Sequence, residues 1–143
     1  MGAFGQIAAR ARRSLRRALS GGTAEVLILC YHRVCDVEIN RWGVTVTPRR
    51  FEEHLGALKA RYPVLALPDA VTALQDGSLR QRAVVLTFDD GYVDNLWHAK
   101  PLLERYSAPA TVFVAAGYVG DPREFWWNEL DRLIYLSPAL PPV

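Results

Sequence analysis

The stretch Ala83-Val84-Val85-Leu86-Thr87-Phe88-Asp89-Asp90-Gly91 sets an apolar run directly against two adjacent carboxylates and a glycine. Its first six residues are apolar on both faces of an extended chain. That pattern predicts a strand inside a parallel sheet covered on both sides. Such a strand does not ordinarily end on a charged pair, because neighbouring like charges raise each other's cost of ionising. Two readings stay open on spacing alone. The pair is either an Asp-Gly turn with both acids in water, or a site that something positive holds in place. Gly91 suits both, since it lets the chain turn sharply and a ligand approach closely.

Outward from this strand, short apolar runs alternate with helical stretches. Residues 25–31, "EVLILCY", read as a first strand that ends in Tyr31-His32-Arg33. Thr47 caps and Pro48 opens a helix that carries Phe51, Leu55 and Leu58 inward and ends near Tyr62-Pro63. Residues 64–67 predict a short second strand. Pro68 opens another helix, with Val71 and Leu74 inward and Gly77 as its stop. After the strand at 83–88, a helix runs from Asn95 to Tyr106, kinked or restarted at Pro101. Residues 110–115 predict a fourth strand. Asp121-Pro122 opens a last helix that turns Phe125, Leu130, Leu133 and Ile134 to a core, before the proline-rich tail "LSPALPPV". This alternation predicts an α/β fold of right-handed βαβ units on a parallel sheet. Ligands of such sheets gather at the carboxyl ends of the strands. The first strand delivers His32 there, the third delivers Asp89 and Asp90, and the fourth ends in Ala115-Ala116-Gly117 and delivers no titratable group.

The bulk properties narrow the classes. A chain of 143 residues, 50% hydrophobic and 22% charged, is a globular chain with room for one domain of ordinary size. A net charge of +2 gives no case for a nucleic-acid partner, and no apolar run is long enough to cross a bilayer. Cys30 and Cys35 are too few for a disulfide scaffold or a thiolate zinc site. Cys30, inside an apolar run, reads as a buried free thiol.

The charge is unevenly placed. Residues 1–22 carry Arg10, Arg12, Arg13, Arg16 and Arg17 and no acid. Phe4, Ile7, Ala11, Leu15, Ala18 and Leu19 share one face of a helical wheel, and Gly21-Gly22 ends the helix. The predicted organisation is therefore a basic amphipathic helix over 1–22 and a domain over 23–143. The helix either touches an anionic membrane surface through residues 4–19 or packs on its own domain with a solvated basic face. It does not read as a secretory signal, since no apolar core follows the basic part. The expected location is the cytoplasm or the inner membrane surface.

The acidic pair suggests a division of labour. Successive side chains of an extended segment point to opposite sides, so two neighbours do not easily grip one ion. One carboxylate can hold a cation while the other acts as base on a water bound to it.

The blocks "LTFDDG" followed by Tyr92, "PATVFV" some twenty residues on, and "LCYHRV" upstream resemble the polysaccharide deacetylases of the NodB-homology type, carbohydrate esterase family 4. "FEEHLGALKARYPVLAL" is similar to the helix that follows the family's opening strand, and "FWWNEL" to an insertion in the same branch. The resemblance covers nearly all of residues 23–136. It implies the amino-terminal portion of a distorted (β/α) barrel and a metal-dependent hydrolysis of acetyl groups on a glycan, with zinc as the expected divalent metal. Position by position, Asp89 resembles the catalytic base, Asp90 the metal ligand and His32 the general acid.

The chain departs from the family in two ways, the first being that its four expected strands are fewer than the family fold needs. Second, the family completes its metal site with an H-x-x-x-H pair downstream of the acidic block, and this chain has only His32, His54 and His98. His54 reads as solvated. Asp94 and His98, four apart, can share a helix face, with His98 read as a surface or helix-packing residue. Two functions follow as expectations. One is an enzyme whose remaining half supplies the histidines. The other is an inactive half-domain that binds a glycan or pairs with another subunit. A phosphoaspartate enzyme is the weakest reading, because the D-x-D spacing is missing.

Overall fold

The computed structural model describes residues 25–37, 40 and 42–135. The expected basic helix at 1–22 lies outside the described residues. The chain divides into two compact units, one ending at Phe113 and one beginning at Val114.

The first unit is built on a parallel sheet. Its strands are β1 (Val26–Tyr31), β4 (Ala83–Phe88) and β5 (Ala110–Val112), in the order β1-β4-β5. The register pairs Tyr31 with Phe88 and Phe88 with Val112, so all three strands reach the same edge together. Every residue of β4 is buried, as its two-sided apolar pattern predicts. Val84, Leu86 and Phe88 join Phe51, Leu55, Val34, Ala99 and Leu102 in one core cluster.

A small second sheet was not legible as strands. β2 (Arg33–Val34) pairs in parallel with β3 (Thr45–Val46). The Asn40 side chain braces their connection, donating to the Thr45 carbonyl and accepting its N–H.

Helix α1 (Pro48–Lys59) begins as expected, with Thr47 Oγ1 accepting the Arg50 N–H at 3.2 Å. Phe51 and Leu55 are fully buried, and Leu58 packs beside them. The expected strand at 64–67 reduces to one parallel bridge, Val64 to Val84. Pro63 brings no N–H, and Leu67 already opens α2 (Leu67–Asp76), so no length is left for a ladder. Helix α2 ends at Gly77 with φ +71°, the left-handed stop the sequence predicts. Its inward face differs from expectation. Ala70 is buried, whereas Val71 and Leu74 are more than 40% exposed (43% and 47%).

After β4, residues Asn95–Ala99 form a π-helical turn that passes directly into α3 (Lys100–Arg105). Pro101 is the second residue of the new helix, in the first turn, where a residue without an N–H is tolerated. Strand β5 is shorter than the predicted 110–115. Its last bond is Phe113 N–H to the Phe88 carbonyl at 2.7 Å, and β4 stops there, leaving the next residues nothing to pair with.

In the second unit, a short 3-10 turn (Ala116–Tyr118) precedes α4 (Trp126–Tyr135). The helix starts at Trp126, four residues after the Pro122 that the sequence predicts as its opening. The Asp121 carboxylate instead binds the Arg123 backbone N–H at 2.9 Å and the Arg123 guanidinium at 2.7 Å. This local turn competes with helix formation. Phe125 lies on Trp127 with centroids 4.6 Å apart and also meets Tyr118. Leu130, Leu133 and Ile134, expected to face a core, are exposed.

Candidate active site

The site grows from the shared edge of β1 and β4. Tyr31 and Phe88, paired across the two strands, stack with centroids 5.5 Å apart, and Phe51 meets both edge-on. This aromatic floor fixes where the next residues of each strand emerge. The Asp89 N–H donates to the Tyr31 carbonyl at 2.9 Å, extending the ladder by one bond beyond β4. The chain then turns. Asp90 has φ +70° and Gly91 φ +74°, two consecutive left-handed residues. The turn expected of Gly91 therefore begins one residue earlier. Asp tolerates this region better than most residues, but a non-glycine there stores strain, and such strain concentrates at functional sites.

Of the expected site residues, the structure brings His32 and Asp89 together. Cys30 joins them: its Sγ donates to Asp89 Oδ2 at 3.3 Å and lies 4.0 Å from His32 Nδ1. One ligand atom from each of the three residues falls within 4.8 Å of the others. Asp90 is not a member of this group.

The expectation of a buried Cys30 is corrected here. Cys30 is exposed, while Cys35 is the buried thiol. β1 is an edge strand, and only Leu29 and Tyr31 of its outer half pack on the core. Cys30 points to the opposite side by strand alternation. Partial desolvation, reinforced by the hydrogen bond to Asp89 and by its charge, pushes the Cys30 thiol up from its usual 9.0.

Asp94 is the main residue that sequence reasoning undervalued. It is buried, and its Oδ1 accepts the Val34 N–H while its Oδ2 takes the Arg33 Nε, each at 2.9 Å. His98, one turn on, donates from Nδ1 to the Val34 carbonyl at 2.9 Å. The two do share a face, and what they hold is backbone. The i, i+4 spacing in an acidic-turn context was the available signal. Arg33 also lies over the Tyr92 ring, 4.6 Å from its centroid. Next to Asp94, Asn95 is buried with neither side-chain atom hydrogen-bonded. His54 is exposed, as read, but its Nδ1 sits 3.2 Å from the Tyr31 hydroxyl.

The profile of the polysaccharide deacetylase family matches residues 76–135, which include the acidic block and β5. The protein YxkH of Bacillus subtilis (strain 168), named for the same family, is 34% identical over 99 residues. The chain belongs to the polysaccharide deacetylase family. Among solved structures it is similar to a de-N-acetylase from Aggregatibacter actinomycetemcomitans, at 28% identity and a TM-score of 0.61 over 68% of this chain. It is also similar to IcaB from Ammonifex degensii, at 29% identity and 0.61 over 72%. The Streptococcus pyogenes deacetylase PplD gives 27% identity and 0.61 over 76%. The parallel sheet of this family member is thus part of a distorted (β/α) barrel. The chain spans 34% of the length of the B. subtilis relative and 40%, 43% and 51% of the three solved chains, in the order given.

A family metal site needs more donors than the described residues supply. Asp90 is the one carboxylate carried over as ligand. His54 and His98 make the contacts given above, and the sequence contains no H-x-x-x-H pair. Catalytic zinc sites ordinarily take three protein ligands. These residues alone do not fit the complete family metal centre.

Proposed function

We propose that this chain carries the proton-transfer half of a glycan deacetylase site. The substrate class is an acetylated polysaccharide or oligosaccharide, and the bond cleaved is the carbon–nitrogen bond of an N-acetyl group or its O-acetyl counterpart. The observation that carries this reading is the meeting of His32 and Asp89 at the carboxyl edge of two paired parallel strands.

Each residue has a role suited to its chemistry. Asp89 is the base: a carboxylate at this edge can accept a proton from an attacking water. His32 is the acid. An imidazolium titrates in the range needed to return a proton to the departing nitrogen. Asp90 is one metal ligand, set apart from Asp89 by its left-handed backbone. A divalent metal, zinc by resemblance, would supply polarisation of the acetyl carbonyl and a more acidic water. Its other ligands are histidines from further along a longer chain. The short fraction of the relatives' length that this chain spans supports that view.

A second reading is an inactive half-domain that binds a glycan or a partner subunit. The engagement of His54 and His98 in structural contacts favours it for the residues in hand. One experiment separates the two: metal content and acetate release, measured on a chain extended beyond Val143. Stoichiometric metal with acetate release supports the enzyme. Metal-free, inactive protein that still binds glycan supports the alternative.

A further inference from the structure

We propose that Cys30, His32 and Asp89 form a cation site of their own, for a thiophilic divalent ion of the zinc, cobalt or cadmium class. The site is distinct from the family metal centre, which draws on Asp90 and not on Cys30.

The geometry suits such an ion. Tetrahedral zinc binds sulfur at about 2.3 Å and nitrogen or oxygen at about 2.0 Å, which sets those donors about 3.5 Å apart. Here Sγ lies 3.3 Å from Asp89 Oδ2 and 4.0 Å from His32 Nδ1. All three donor atoms fall within 4.8 Å of one another. Small rotations of two side chains therefore complete three corners of a tetrahedron, and the exposure of Cys30 leaves the fourth to water.

Cys30 lies within β1, and His32 and Asp89 are the first residues after β1 and β4, two strands whose pairing is fixed. Cys30 pairs with Thr87 across the sheet, and Asp89 is bonded to Tyr31 through its backbone. Each donor therefore sits on, or one residue beyond, backbone that the sheet pairing holds. Charge also favours occupancy. A thiolate and a carboxylate offset the two positive charges, and Asp90 adds a further negative charge next door. On binding, the Cys30 thiol releases its proton to solvent as the sulfur–metal bond forms.

One consequence rests on the roles proposed above. An ion here would occupy the base and the acid together and would block proton transfer, so excess thiophilic metal would inhibit. Binding itself rests only on the geometry, so the test below can fail or succeed independently of the deacetylase reading.

The test uses the 143-residue chain and cobalt(II) as probe. A thiolate-to-cobalt charge-transfer band should rise to one equivalent and should be displaced by zinc. Cys30→Ser should abolish the band, and Cys35→Ser and Asp90→Asn should keep it. His32→Ala should weaken cobalt binding by about a hundredfold or more, since even outer-shell partners are worth about ten- to a hundredfold. A second measurement needs no variant: saturating zinc should protect Cys30 from alkylation, read by mass spectrometry. A band that survives Cys30→Ser, no band in the unaltered chain, or an alkylation rate indifferent to zinc would each overturn the proposal.

Discussion

Asp94 accepts the Val34 backbone N–H on Oδ1 at 2.9 Å while the same carboxylate holds the Arg33 guanidinium on Oδ2. This tie joins the segment after β1 to the turn after β4. His98 closes it from the other side through the Val34 carbonyl. The strand ends that carry His32 and Asp89 are therefore locked by a contact neither residue makes.

Removing that tie should loosen the segment locally. Asp94→Ala leaves the Val34 amide without its acceptor and Arg33 without its partner. Hydrogen bonds to a charged acceptor contribute about 1.5–3 kcal/mol each. A loss of about 2–3 kcal/mol corresponds to about 30- to 150-fold faster amide exchange at Val34. Asp94→Asn keeps an acceptor for Val34 and should exchange at an intermediate rate. Unchanged protection in Asp94→Ala, measured by hydrogen exchange, would show that the contact is incidental.

The acidic pair should separate into two phenotypes in a chain long enough to be active. Asp89→Asn removes a donor of the Cys30 site but should keep the single equivalent of metal held at Asp90, and should lose turnover by about a hundred- to ten-thousand-fold, the usual cost of losing a general base. His32→Ala should behave similarly. Asp90→Asn should lose the family metal and activity together, while the Cys30 site keeps its capacity for added cobalt. Metal analysis beside acetate release distinguishes them, and the reverse pattern would exchange the roles of the two aspartates.

The Cys30 thiol should titrate above its ordinary 9.0. The thiolate is the nucleophile, so a raised pKa means less reactive sulfur at any pH below it. Alkylation by iodoacetamide should accelerate with a midpoint above 9.0. Asp89→Asn removes a neighbouring negative charge and should move that midpoint down, leaving desolvation and the Asp90 charge, which raise it, against the Thr87 hydrogen bond, which lowers it. A midpoint that ignores Asp89→Asn would contradict the contact at 3.3 Å.

The sheet should recruit other chains when the 143 residues are expressed alone. β1 and β5 are its two edges. Leu27 and Ile28 on β1, and Val112 and Phe113 at β5, are exposed. Unpaired edges with apolar side chains template association. Light scattering should report species larger than a monomer that grow with concentration. A monodisperse monomer with one cooperative melt would weigh against this and towards the accessory reading.

The basic segment at 1–22 supplies its own expectation. If it contacts anionic membrane, the chain should sediment with anionic vesicles and release in salt, with about 1 kcal/mol per arginine near the surface. Equal sedimentation by a chain beginning at Thr23 would remove the segment from consideration.

The strand 83–88, the Thr47 cap, the Gly77 stop and the placing of His32 and Asp89 on one sheet edge were all legible in the sequence. Each follows from local rules: two-sided apolarity, side-chain capping, left-handed glycine and the polarity of parallel strands. Other features depended on contacts between residues far apart in the chain. Whether Cys30 is buried depends on β1 lying at the edge, which strand order decides. How far β5 runs depends on where β4 stops. The inward face of α2 is set by close approach at Ala70 rather than by its largest apolar side chains. Asp94 and His98 looked like a helix pair because their spacing is local, whereas their partner, Val34, lies some sixty residues away. The meeting of Cys30 with Asp89 likewise spans 59 residues, a proximity created by the parallel register of β1 against β4 and by no property of either residue alone.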